Sequence, residues 1–122
     1  MARILIVDDS NMSRRIVRSI LEGAGHEIVE ANDGMAALEQ YALSRPQLVL
    51  LDLVMAGMYG IDVLKKLLEM DANAKVIIAS ADIQDLTRTA AMEAGAAAFV
   101  TKPISGEALL RTVGAVLEDE GK

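Results

Sequence analysis

The sequence contains no cysteine, no tryptophan and only two prolines. Without cysteine, the chain can form no disulfide framework, no thiolate metal site and no thiol nucleophile. Its only aromatic residues are Tyr41, Tyr59 and Phe99, and so few rings disfavour a platform on which nucleic-acid bases stack. Any chemistry in this chain must therefore rest mainly on oxygen ligands and on amine, guanidinium and hydroxyl groups.

Basic residues are also in deficit, since the formal net charge is −6. This charge disfavours nonspecific binding to nucleic acid, which needs clustered Lys and Arg; Arg14, Arg15 and Arg18 are the densest basic group. The apolar stretch from 1 to 7 is short and runs directly into two aspartates, unlike a secretory signal. No other apolar run approaches membrane-spanning length. We expect a soluble, cytoplasmic protein with no membrane contact and no direct nucleic-acid contact.

Apolar, β-rich segments alternate along the chain with amphipathic segments, which is the pattern of a parallel sheet with helical crossovers. The strands are predicted at Arg3 to Val7, His26 to Glu30, Leu48 to Leu51, Lys75 to Ala79 and Ala97 to Val100. The second strand carries polar Glu27 and Glu30, which indicates an edge position. No Gly/Ser-rich or Pro-rich linker divides the 122 residues. We therefore expect one domain over residues 1–122 and no output domain.

Apolar residues at helical spacing predict the crossovers. The clearest stripes are Met12, Ile16, Val17, Ile20 and Leu21, then Ile61, Leu64, Leu67 and Leu68, and last Leu110, Val113 and Leu117. Candidate N-caps are Ser10, Asn32 or Asp33, Asp82 and Ser105, and the glycines placed to end helices are Gly23, Gly25 and Gly95. The seven methionines are expected to fill gaps in the core.

Polar side chains stand where the predicted strands end. Asp8 and Asp9 end the first strand, and Asp52 ends the third. Ser80 ends the fourth strand, and Lys102 follows the fifth. Because sites in open parallel sheets lie outside the carboxyl ends of the strands, these side chains should converge on one edge.

Three carboxylates at neighbouring strand ends would repel one another, by roughly 3 kcal/mol per pair at ~5 Å and an effective dielectric constant of about 20. Such a cluster needs a cation, and an oxygen ligand set favours Mg²⁺ (or Mn²⁺) over Zn²⁺. Mg²⁺ and the Lys102 ammonium would formally balance Asp8, Asp9 and Asp52. One carboxylate is then a candidate nucleophile for an incoming phosphoryl group.

The motif set resembles that of response-regulator receivers in two-component signalling, especially single-domain, chemotaxis-regulator-like ones. The matching segments are Asp8-Asp9, Asp52 to Gly60, Ser80-Ala81 and Phe99 to Pro103, in the family's order and spacing. The resemblance covers the whole chain. It implies a doubly wound α/β fold of flavodoxin type, with a five-stranded parallel sheet in the order 2-1-3-4-5 and five flanking helices.

The resemblance also implies roles for individual residues. Asp52 would be the phosphoacceptor, and Asp9, Asp52 and the backbone carbonyl of Val54 would bind Mg²⁺ while Asp8 assists through water. Ser80 and Lys102 would contact phosphoryl oxygens, and the Lys102–Pro103 peptide bond would be cis. On phosphorylation the Ser80 hydroxyl would be drawn to the phosphoryl group, and the Phe99 ring would move inward.

The partners implied by the resemblance are proteins. A sensor histidine kinase or a phosphotransfer domain would donate the phosphoryl group, and a downstream target would bind the face formed by the fourth helix, fifth strand and fifth helix. Such a chain is not an enzyme for a separate substrate, since it catalyses only its own Mg²⁺-dependent phosphorylation and dephosphorylation.

Two departures from the family pattern lie in the acceptor loop, where Ala56 replaces the usual Pro and Tyr59 replaces a polar residue. They bear on partner choice and kinetics more than on the chemistry. Two rival functions also remain: a small Mg²⁺-dependent phosphatase, and a receiver-like module that binds partners without being phosphorylated. The phosphatase would need a second acid and a cap, and neither is evident. The retained acid cluster and Lys102 argue against the module.

Overall fold

The computed structural model describes residues 2–53, 59–81 and 84–119, in which strands and helices alternate. In chain order the elements are β1 Arg3–Val7, α1 Asn11–Gly23, β2 Glu27–Ala31, α2 Gly34–Ser44, β3 Leu48–Asp52, α3 Gly60–Met70, β4 Val76–Ser80, α4 Asp85–Glu93, β5 Ala98–Thr101 and α5 Gly106–Asp119. Across those residues, no helix combines the length and the apolar character that crossing a membrane requires.

All neighbouring strands of the sheet run parallel, in the order β2-β1-β3-β4-β5. The predicted α/β fold and strand order are therefore confirmed, and β2 lies at an edge as expected. The chain places β2 on one side of β1 and then β3, β4 and β5 on the other side. At this change of direction the carboxyl ends of β1 and β3 lie side by side. Ligand sites in such sheets form at this point.

The predicted bounds of β1 are correct, but the other strands end one residue later than predicted. Asp52 at the end of β3 pairs with Ala79, and Ser80 at the end of β4 pairs with Thr101. In these two strands the backbone pairing therefore continues through the first polar residue. Pairing depends on the backbone, and a change in side-chain polarity therefore does not end a strand. His26 is outside β2 because its N–H donates to the Leu21 carbonyl in the turn after α1.

The sheet is covered on both faces. Helices α2, α3 and α4 bury one core against it, centred on Leu5, Val49, Leu51, Val76 and Ile78. Helices α1 and α5 bury the other, centred on Ile4, Ile6, Leu48, Leu50 and Ile77. Successive strand residues alternate between the two cores, which explains why the central strands are apolar throughout.

Two predicted helical stripes were partly wrong. On α1, Val17 and Leu21 are buried, but Met12 and Ile16 are 73% and 51% exposed. On α5 the buried line runs through Leu109, Val113 and Val116, while Leu110 is 37% exposed. The spacing of apolar residues determines the rotation of a helix about its axis only to within about one residue. Packing against the sheet decides which residues are buried.

The prediction that methionines fill the core was also wrong for those that the structure describes. Met12, Met35, Met70 and Met92 are all exposed, and they are the four methionines in the described residues. The sheet faces are instead filled by Val, Ile, Leu and Ala. Methionine's flexible side chain is adapted to irregular gaps, and the regular strand and helix surfaces of this core are occupied by branched residues.

Three of the predicted N-caps are observed. Side-chain oxygens of Ser10, Asp33 and Ser105 accept hydrogen bonds from the backbone N–H three residues ahead, at 3.2, 2.7 and 3.3 Å. The predicted cap Asp82 lies outside the described residues, and α4 follows Gln84 without a side-chain cap. Gly25 and Gly95 adopt φ of 93° and 108° just beyond α1 and α4, a region that favours glycine.

Gly60 begins α3 against the backbone that follows β3. A Cβ at this position would lie 2.6 Å from both the Asp52 carbonyl oxygen and the Leu53 Cα. The Gly60 N–H donates to the Leu53 carbonyl at 2.7 Å, which fixes this close approach. Only glycine therefore lets α3 start directly beneath Asp52.

The Gly60→Ala variant is expected to lose about 1–3 kcal/mol of unfolding free energy, because backbone atoms must move to admit the methyl group. Gly114→Ala is the matched control, since Gly114 lies in α5 where an added Cβ would meet none of the described atoms within 4 Å. Alanine there should add about 0.5–1 kcal/mol through its helix propensity. Urea denaturation measures both, and equal shifts in the two variants would contradict the close packing at Gly60.

Candidate functional site

The carboxyl ends of four neighbouring strands bring the predicted polar residues to one edge. Val7 pairs with Leu51, so Asp8 follows β1 at the level where Asp52 ends β3. Asp52 pairs with Ala79, and Ser80 comes next on β4. These registers are set by the buried strands, which hold the polar residues at adjacent ends of one rigid sheet.

Asp8 is 4% exposed and is bound through both backbone and side chain. Its N–H donates to the Ala31 carbonyl at 3.2 Å, continuing the β1–β2 ladder by one residue. Its Oδ1 accepts from the Ser10 N–H at 2.9 Å, and its Oδ2 accepts from Lys102 Nζ at 3.0 Å. A buried carboxylate with these partners has its charge compensated in place.

Lys102 reaches the acidic residues from beyond β5. Its N–H donates to the Ser80 carbonyl at 2.9 Å, and its peptide bond to Pro103 is cis. Its Nζ lies 3.0 Å from Asp8 Oδ2 and 3.3 Å from Asp52 Oδ1, with 21% of the side chain exposed. One ammonium therefore bridges the carboxylates at the ends of β1 and β3.

The three predicted acidic residues form one cluster. Carboxylate oxygens of Asp8, Asp9 and Asp52 all lie within 4.8 Å of one another. Asp8 is buried, the Asp52 side chain is 12% exposed and Asp9 is exposed. An octahedral Mg²⁺ with ligands at about 2.1 Å spans about 4.2 Å between opposite oxygens. The donor chemistry and spacing therefore fit this ion, and the exposed side leaves room for the waters that it retains.

Two pKa values are displaced within the cluster. Burial raises the pKa of Asp52, and the charges of Asp8 and Asp9 raise it further against the opposing attraction of Lys102. Burial alone would lower the pKa of Lys102, but the hydrogen bond to Asp8 and the charge of Asp52 outweigh it and raise the pKa. The Lys102 ammonium is thus held charged, while the Asp52 carboxylate is in an environment where further positive charge would favour its ionised form.

Ser80 and Phe99 lie on the side of the sheet that faces α2, α3 and α4. Ser80 is 3% exposed at the end of β4. Phe99 pairs with Ile78, two residues before Ser80, so the two side chains project from the same face. The Phe99 ring is half-buried, and the guanidinium carbon of Arg88 lies 5.1 Å from its centroid. This is cation–π distance.

The acceptor loop is described in part. Val54, whose carbonyl was a predicted metal ligand, and Ala56 lie outside the described residues. Tyr59 directly precedes α3 and is 50% exposed. Its ring is therefore available on the surface beside the site.

Arg14 was not among the predicted site residues, although it contacts the site directly. Its Nη1 donates to the backbone carbonyl of Asp8. The sequence does contain a signal for this, because Arg14 precedes Val17 by three residues and Leu21 by seven, which places it on the buried side of α1. A charged residue in a buried stripe needs a specific partner.

Comparison with known proteins agrees with this geometry. A family model described as the response regulator receiver domain matches residues 4–114. The chain is 40% identical over 102 residues to the chemotaxis protein CheY of Thermotoga maritima, covering 83% of this chain and 85% of the relative. It is 39% identical over 116 residues to the chemotaxis protein CheY of Bacillus subtilis, covering 94% and 97%.

Solved structures give the same result. CheY4 of Vibrio cholerae has a TM-score of 0.90 at 28% identity, covering 95% of this chain and 98% of that one. A chain of the CheX–CheY–BeF3–Mg²⁺ complex from Borrelia burgdorferi has a TM-score of 0.89 at 32% identity, covering 93% and 87%. With the family model matching most of its residues, this chain belongs to the response regulator receiver family of two-component signalling.

Proposed function

We propose that this chain is a stand-alone response regulator that accepts a phosphoryl group on Asp52 and thereby changes its partner-binding surface. The observation that carries the proposal is the cluster of three carboxylates bridged by Lys102 at the carboxyl edge of the sheet. A sensor histidine kinase or a phosphotransfer domain would be the donor. In this proposal residues 1–122 form one receiver domain.

Asp8, Asp9 and Asp52 are the residues that would hold Mg²⁺ (or Mn²⁺), together with the backbone carbonyl of Val54. Their oxygens are mutually close enough for one hard cation. When bound, the ion would neutralise charge on the cluster and on the oxygens of the incoming phosphoryl group. The Borrelia burgdorferi complex, which contains CheY, BeF3 and Mg²⁺, supports this assignment.

In the transfer step, a carboxylate oxygen of Asp52 forms a bond to phosphorus as the phosphorus–nitrogen bond to the donor histidine breaks. The imidazole takes a proton from solvent as it leaves. Lys102 Nζ, 3.3 Å from Asp52 Oδ1, is placed to donate a hydrogen bond to a phosphoryl oxygen there. Ser80, at the end of the adjacent strand, would supply a hydroxyl to a second oxygen.

The output surface in this proposal is the face formed by α4, β5 and α5. Leu86 and Met92 of α4 are 80% and 43% exposed, and Phe99 of β5 is half-buried. A groove of about 300 Å³ runs between β5 and α5, lined in part by Phe99, Thr101 and Thr112. An inward movement of the Phe99 ring would reshape this face for a downstream protein target.

The first test is the intact mass of the protein after incubation with a small phosphodonor and Mg²⁺. The native chain is expected to gain one phosphoryl group, because its acceptor, lysine and cation site are all in place. Asp52→Asn should gain none, since an amide is not a competent acceptor. A native sample with excess chelator should also gain none, because the cluster then lacks its cation.

The same experiment separates the rival functions. Sustained hydrolysis of a small phosphate ester added in place of the phosphodonor, with no mass gain, would favour a phosphatase. No gain and no turnover under any condition would leave a module that binds partners without being phosphorylated. Either result contradicts the proposed function.

Mg²⁺ is expected to stabilise the native fold, because the unfolded chain does not hold three carboxylates together. At a Mg²⁺ concentration about a hundred times the dissociation constant, the gain in unfolding free energy is about 2.7 kcal/mol. Asp9→Asn should be more stable than the native chain without Mg²⁺, since one repelling charge is gone, and should lose most of the Mg²⁺-dependent gain.

Urea denaturation with and without Mg²⁺ measures these differences. Glu69→Gln is the control, because Glu69 is an exposed acid near the far end of α3 and its loss also removes one negative charge. It should keep the full Mg²⁺-dependent gain. A gain in Asp9→Asn as large as that of the native chain would remove Asp9 from the cation site.

A further inference from the structure

Arg14 is held almost out of solvent at the junction of α1, β1 and β2. Only 12% of its side chain is exposed. Its Nε donates to Glu30 Oε1 at 2.9 Å, its Nη2 donates to Asn11 Oδ1, and its Nη1 donates to the Asp8 carbonyl. All three nitrogens of the guanidinium are therefore engaged, each with a different residue, so the orientation of the group is fixed.

The Asp8 carbonyl belongs to the peptide group that joins the two N-terminal acids of the cluster. Because a peptide unit is planar, a hydrogen bond to this carbonyl fixes the plane that also contains the Asp9 nitrogen and Cα. The other end of Asp8 is bound through its N–H to the Ala31 carbonyl, and its side chain is bound by Ser10 and Lys102. The contact from Arg14 is made to the peptide group that links Asp8 and Asp9.

Glu30 anchors this arrangement from β2. Although burial opposes it, hydrogen bonds from Arg18 and Arg14 lower the pKa of Glu30, which keeps its carboxylate charged. Arg18 lies four residues after Arg14 on α1, and it binds Glu30 and Glu22. Its side chain is 40% exposed. The two arginines therefore share Glu30 as an anchor. They differ in their other contacts, which are with Glu22 for Arg18 and with Asn11 and the Asp8 carbonyl for Arg14.

We infer that Arg14, held by Glu30, is a positioning residue for the cation site: it sets the peptide plane between Asp8 and Asp9 and so the direction from which the Asp9 carboxylate meets the metal. This inference deepens the proposed function and rests on it. Groups that orient metal ligands in this way affect affinity even though they touch no metal. Arg14 would thus couple the edge strand β2 to the acidic cluster.

The test compares Arg14→Lys with Arg18→Lys by Mg²⁺ titration of the unphosphorylated protein, followed by calorimetry or amide chemical shifts. Lysine keeps the charge, but its single nitrogen does not reproduce the three-way contact of the guanidinium. Arg14→Lys is expected to weaken Mg²⁺ binding by about tenfold or more. Arg18→Lys, a substitution at a more exposed arginine whose described contacts are with Glu22 and Glu30, should leave the affinity within about twofold.

The amide ¹⁵N shift of Asp9 gives a second readout without metal or phosphodonor. This nitrogen shares its peptide group with the Asp8 carbonyl, so loss of the Arg14 contact should move its shift in Arg14→Lys and leave it in place in Arg18→Lys. If Arg14 only held α1 against β2, as Arg18 also does, the two variants should give similar Asp9 shifts.

Glu30→Gln makes the inference testable even if Arg14→Lys does not fold. It weakens the anchor of Arg14 without altering any residue that contacts Asp8, and it should weaken Mg²⁺ binding to a smaller extent. Native affinity and a native Asp9 shift in the folded variants would overturn the inference. If those variants bind Mg²⁺ natively and the native chain accepts a phosphoryl group, only the positioning role fails.

A different set of results would support the positioning role of Arg14 and contradict the proposed function. If the native chain binds Mg²⁺ more tightly than Arg14→Lys but gains no phosphoryl group, the positioning role stands and the proposed function fails. A native chain that does not bind Mg²⁺ would overturn both.

Discussion

Repulsion among three carboxylates is the constraint on which the functional end of this molecule depends. Asp8, Asp9 and Asp52 bring three negative charges within 4.8 Å, and Lys102 supplies one positive charge, which leaves two negative charges. A divalent cation would balance this remainder. The two buried cores hold the strands in register, so the cluster cannot relax by letting the strand ends separate. The fold therefore keeps the three charges close together.

The elements around the cluster are tied to it by specific contacts. Gly60 starts α3 directly against the Asp52 carbonyl, and Lys102 is positioned through the Ser80 carbonyl of β4. Arg14 connects α1 and β2 to the Asp8 carbonyl. A change of charge on Asp52 is therefore exerted at a point where several elements meet, and this arrangement suits a switch whose output surface lies elsewhere on the fold.

The edge position of β2 and the convergence of polar residues could be predicted from the residues themselves, because they follow from buried runs and from the geometry of parallel sheets. The strand order was implied by the resemblance to the receiver family. The rotation of α5 could not be predicted, since Leu109 and Leu110 fit a helical stripe equally well until the helix packs. The contact of Arg14 with Asp8 was also missed. The spacing of Arg14 to Val17 and Leu21 placed it on the apolar side of α1, but the partner of its charge becomes visible only once the position of α1 on the sheet is known.

The most direct test of the central claim is to locate the phosphoryl group after phosphorylation with Mg²⁺. Borohydride reduces an aspartyl phosphate to homoserine, and peptide mass spectrometry then reports the position. The account predicts homoserine at position 52 alone, because Asp52 ends β3 within 3.3 Å of Lys102 Nζ and next to the strand that ends at Ser80. Homoserine at position 8 or 9, or a stable phosphoryl group on another residue type, would contradict it.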